Sequence, residues 1–127
     1  MINKNWFWKR KPNAIRKIEK NLGMKLSDLG DTIYPNKDIQ NTCDKIISTH
    51  KMNPNTNLAI ATEDLMFLFV LHNNALDITY KAYLLTGWNG RNSINKLVIN
   101  KYEKWANITN ILDFASGFGR VSRHLLN

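Results

Sequence analysis

Ile111-Leu112-Asp113-Phe114-Ala115-Ser116-Gly117-Phe118-Gly119-Arg120-Val121-Ser122-Arg123-His124-Leu125 is the stretch whose reading decides the fold. Its first four residues follow the polar run Asn107 to Asn110 and form a short, mostly apolar segment. That pattern suits a parallel strand buried on both faces. Gly117 and Gly119 then allow the backbone to approach a ligand closely, and Arg120 to Leu126 reads as a helix whose N-terminus faces the turn. Asp113 stands at the strand end. Strand, glycine turn and helix together predict an α/β fold with a cradle for part of a nucleotide-like cofactor.

Upstream of this segment the periodicity is helical. Ile94, Leu97, Val98, Tyr102 and Trp105 fall on one stripe, with Asn95, Lys96, Asn100, Lys101 and Lys104 off it, which predicts an amphipathic helix. Gly87-Trp88-Asn89-Gly90 reads as the turn before it. A long, largely buried helix is expected from Thr62, which can cap it, to Leu85, with Glu63 and Asp64 favouring its positive end. A further helix is expected near Ile39 to His50, capped by Asp38, and a short basic helix from Pro12 to Leu22 stopped by Gly23. The chain divides into a basic region of helix and loops (1–60), a helical lead-in (61–106) and the strand, turn and helix (107–127).

Two uses of the glycine turn compete. A dinucleotide site needs G-x-G-x-x-G to seat a pyrophosphate on the helix N-terminus. Here Ser122 stands where the third glycine belongs, and Asp113 would face a doubly negative pyrophosphate. S-adenosyl-L-methionine carries no phosphate, and its ammonium and sulfonium groups accommodate a nearby carboxylate. The segment 111–125 resembles motif I of class I S-adenosylmethionine-dependent methyltransferases, with Ala115 where the family most often has its first glycine.

That resemblance implies a Rossmann-like fold, of which this chain would hold a mostly helical N-terminal region, the first strand and the start of the next helix. It implies that Asp113 helps place the methionine end of the cofactor and that the backbone of Ala115, Gly117 and Gly119 lines it. Tyr83-Leu84-Leu85-Thr86-Gly87 is similar to the family's lead-in segment, so Tyr83 and Gly87 would contribute to the pocket; a core tyrosine and a helix stop are the alternative readings. An acid for the ribose hydroxyls is expected about 20 residues beyond the glycines, so the chain is expected to be an N-terminal fragment, inactive alone. Its methyl acceptor and catalytic residues are not assigned.

Composition bounds the alternatives. At 127 residues the chain holds one domain or part of one. Eighteen basic and ten acidic residues give a net charge of +8. Lys4, Lys9, Arg10, Lys11, Arg16, Lys17 and Lys20, with Trp6, Phe7 and Trp8 among them, permit a second reading: a helical module for RNA or an anionic membrane surface. The lysines are otherwise spread along the chain, as in any solvated surface. Cys43 is the single cysteine, which excludes an internal disulfide and suits the cytoplasm. Cys43, His50, His72 and His124 lack the short spacings of zinc sites, so no metal is expected. The apolar run Leu65 to Leu71 falls short of the ~20 residues that span a bilayer, and the N-terminus lacks a secretory apolar core.

Overall fold

Proline fits the first turn of a helix because the amide it lacks would have had no partner there, and the first helix among the described residues, α1 (Pro12–Leu22), carries Pro12 at that end. The computed structural model describes residues 12–111 and 119–125. Within α1, Ile18 is fully buried with Ile15 and Leu22 packed beside the core. The helix closes where the Gly23 amide donates to the Glu19 carbonyl. Asn21 then ties it across the fold, its Nδ2 donating to the Leu71 carbonyl at 2.7 Å.

β1 (Thr32–Ile33) pairs antiparallel with β2 (Ile60–Ala61), setting Ile33 opposite Ile60. Between them lies α2 (Lys37–Thr49), which buries Ile39, Cys43, Ile46 and Ile47 along one stripe. Its cap is Asn36, whose side chain accepts from the Ile39 amide. Asp38, the expected cap, sits inside the first turn.

α3 (Leu65–Asn73) is capped by Asp64, while Thr62 extends the strand pairing by donating its amide to Asp31 and its hydroxyl to Gly30. Asn74 ends α3 in extended conformation and turns its Nδ2 back to the Val70 carbonyl. Such local side-chain bonding competes with helix continuation, and it breaks the expected 62–85 helix in two.

The second half runs on as α4 (Leu76–Tyr102), straight through Gly87 to Gly90. No turn forms there. Glycine in a helix costs about 1 kcal/mol relative to alanine, and here the cost is offset by packing: Gly87 meets Arg120 and His124, and Gly90 meets Val121, in and just before the short helix α5 (Ser122–Leu125). α4 packs against α2, α3 and α5, while α1 packs against α3. The core between them holds Ile18, Ile33, Cys43, Ile60, Phe67, Leu68, Leu71, Tyr80 and Leu84.

This architecture corrects the expected α/β, Rossmann-like fold. Among the described residues the chain is mostly helical, and its one sheet there is the antiparallel pair of two-residue strands. Ile111 lies outside any strand, and residues 112–114 of the anticipated strand lie outside the described residues. A lone apolar run does not make a sheet: a parallel strand needs a neighbour to satisfy its backbone, and β1 and β2 pair with each other instead. Among the described residues no helix is long and apolar enough to cross a membrane.

Candidate functional site

Of the residues expected to hold the cofactor, Asp113, Ala115 and Gly117 lie outside the described residues, whereas Gly119 is described. Gly119, the last of the expected cofactor residues, has φ +78. That is the left-handed region, costly for residues with a Cβ. Its carbonyl accepts from the Arg123 amide and from Arg123 Nε, each at 3.1 Å.

Arg123 is the hub of the surrounding geometry. Its Nη1 donates to the carbonyls of Asn57 at 2.9 Å and Ala59 at 3.4 Å, and its Nη2 donates to the Tyr83 hydroxyl at 3.4 Å. The guanidinium carbon lies 4.9 Å from the centre of the Tyr83 ring. Tyr83 passes the connection inward, its hydroxyl donating to Asp64 Oδ2 at 2.5 Å. Asp64 is only 3% exposed and uses its other oxygen to accept from the Phe67 amide. Burial, and next the hydrogen bond to Asp64, raise the Tyr83 phenol well above its ordinary range. The phenol therefore stays neutral and donates, which suits a buried carboxylate acceptor.

Beside this chain, His124 is 4% exposed, packed edge-on against Trp88 with ring centres 5.5 Å apart. It faces the Leu84 carbonyl, but neither ring nitrogen makes a hydrogen bond of good geometry. Burial, followed by the charge of Arg123, holds its imidazole below the usual histidine range. Gly87 makes this docking possible: a Cβ there would collide with the Arg120 carbonyl oxygen and stand 3.1 Å from His124 Cδ2. The helix stop expected at Gly87 is instead a notch inside α4. Tyr83 is a buried core residue and also a partner of Arg123.

A cleft of about 600 Å³ opens at the far end of α4. Ile94, Val98, Tyr102 and Trp105, four members of the stripe expected to face the core, line it. The fifth, Leu97, is 69% exposed. Trp105 Nε1 donates to Asn95 Oδ1 at 2.7 Å and holds the indole in place. Ile111 and Val121 also line the cleft, and among the described residues its lining carries no charged side chain. Among the described residues no three His, Cys, Asp or Glu side chains converge as metal ligands.

No family model, curated protein or solved structure matches the chain. The site rests on its own residues. Arg123, His124 and Asp64 had no functional part in the sequence reading, although Arg123 and His124 stand within the deciding stretch. Their signal was a charged residue and a histidine on a helix of otherwise core-forming type, which spacing alone does not distinguish from a solvated face.

Proposed function

We propose that this chain binds S-adenosyl-L-methionine at the 113–119 turn, as part of an enzyme that transfers the donor's methyl group. The observation that carries the reading is the place of the cleft: Ile111 and Val121, before and after the stretch 113–119 in sequence, both line a largely apolar opening of about 600 Å³ that is uncharged among the described residues. Ligand sites are commonly 300 to 1,000 Å³, mostly apolar with a few neutral polar groups, and Asn107, Thr109 and Asn110 supply such groups here. A lining without cations among the described residues suits a donor that has no phosphate and is itself positively charged. Methyl transfer is a displacement at the sulfonium methyl, in which alignment of donor and acceptor supplies much of the rate. Asp113, Ala115, Gly117 and Gly119 are the residues assigned to the donor.

Equilibrium dialysis with radiolabelled S-adenosyl-L-methionine, with NAD as comparator, tests the reading. Saturable binding of the methyl donor, lost in Asp113→Ala and Gly119→Val and absent for NAD, is expected. Saturable NAD binding would replace the reading with a dinucleotide site. Neither ligand binding, together with RNA binding that weakens steeply with salt, would place the function on the exposed Arg16, Lys17 and Lys20 of α1.

A further inference from the structure

Arg123 reaches three separate parts of the fold at once. It closes on the carbonyl of Gly119, on the carbonyls of Asn57 and Ala59 just before β2, and on the Tyr83 hydroxyl in the N-terminal third of α4. A guanidinium presents five donors in a rigid fork, whereas an ammonium is a compact point charge. The acceptors here are dispersed over segments 64 and 66 residues away in sequence, so the fork suits them and a lysine would not reach them together. The seat beneath is also fixed, because Tyr83 is itself held by the buried Asp64.

We propose that Arg123 is a positioning residue that clamps Gly119 to the 57–61 segment and to Tyr83. Order in the 57–61 segment and donor binding beside Gly119 are thereby coupled. The clamp itself is a property of the described geometry; its effect on a ligand rests on the methyl-donor reading above. Arg123 does not touch the donor in this account. It fixes the backbone that does.

Hydrogen exchange read by mass spectrometry, with donor affinity measured in parallel, tests this on the whole chain. In Arg123→Met, exchange is expected to rise about tenfold, the factor that 1.4 kcal/mol represents, in both 57–61 and 119–125, while α2 and α3 keep their protection. Arg123→Lys is expected to behave like Arg123→Met, since charge alone does not restore the fork, and Tyr83→Phe is expected to show a smaller rise. In the wild-type chain the donor should slow exchange at 57–61, and Arg123→Met should weaken its binding about tenfold at temperatures well below the melting midpoint. Unchanged exchange in both segments would overturn the clamp, as would a uniform rise throughout α2 and α3, which marks a purely stabilising role. If the wild-type chain binds no donor, the methyl-donor reading fails, and the exchange pattern of the variants still decides the clamp.

Discussion

Gly87 and Gly90 stand on one face of α4, yet a methyl group at each meets different neighbours. At Gly87 it would collide with the Arg120 backbone carbonyl, which cannot rotate away; at Gly90 it would meet the Val121 side chain at 3.0 Å. Overpacking at Gly87 costs about 1 to 3 kcal/mol against a helix-propensity gain of about 1 kcal/mol, so Gly87→Ala is expected to lower stability by up to about 2 kcal/mol. Gly90→Ala should be close to neutral. Urea denaturation of the two variants makes the comparison, and equal losses would remove the special role of the Gly87 notch.

His124 gives a second test at the same scale. Its folded pKa is lowered by burial and by Arg123, and Arg91 on α4 adds to the effect. The unfolded chain therefore binds more protons than the folded one near and below the ordinary value of about 6.5. By linkage, stability rises with pH in that range. The contribution is complete above about 6.5 and is lost as the pH falls toward the lower folded value. His124→Leu removes the titration and the orphaned nitrogens together, so denaturation curves at pH 5 and 7 should converge. A pH slope as steep as that of the wild type would show that other groups are responsible.

At the scale of elements, Asp64 links two helices. It caps α3 through the Phe67 amide and receives the Tyr83 hydroxyl from α4. Asp64→Ala removes a cap of about 1 kcal/mol and strands a buried phenol at about 1 to 3 kcal/mol, for a total loss of roughly 2 to 4 kcal/mol. Asp64→Asn keeps an acceptor for both and should lose less. A double-mutant cycle with Tyr83→Phe should return a coupling above about 0.5 kcal/mol; additive losses would mean that the two elements are not joined through this bond.

Element boundaries also show what was legible. α1 ran where Ile15, Ile18 and Leu22 indicated, because a single amphipathic stripe with a proline start and a glycine stop has few competing structures. α2 lay where Ile39 to His50 suggested, with its cap moved from Asp38 to Asn36. The join between α3 and α4 is not legible in the sequence because the polar run His72, Asn73 and Asn74 fits an exposed patch of one continuous helix as well as a break between two. Gly87 to Gly90 looked like a turn because the cost of helical glycine is local, whereas the packing that offsets it comes from α5, far along the chain.

For the molecule as a whole, Cys43 reports on the cooperativity of the core. It is fully buried on α2 among the core residues, and burial, followed by the charge of Asp44, pushes its thiol up to about 11. A thiol so protonated and enclosed reacts only when the core opens. Modification by a thiol reagent at pH 7.5 should therefore proceed at the rate of global unfolding and accelerate across the urea transition. Rapid reaction in the native protein would place α2 in a separate, less stable unit.

What the amino-acid sequence determined by itself was the helical character of 12–22, of 37–49 and of 94–102, because each follows from local periodicity and capping; the expected core-facing stripe of that last helix buries Val98 but leaves Leu97 and Tyr102 exposed. Gly119 takes the left-handed conformation that only glycine adopts cheaply. The tertiary structure alone decided the pairing of β1 with β2, the passage of α4 through two glycines, and the union of Arg123, Tyr83 and Asp64 into one chain of bonds. These join residues tens of positions apart. Their energies come from burial and from directional polar contacts between separate elements, which no local window of sequence contains.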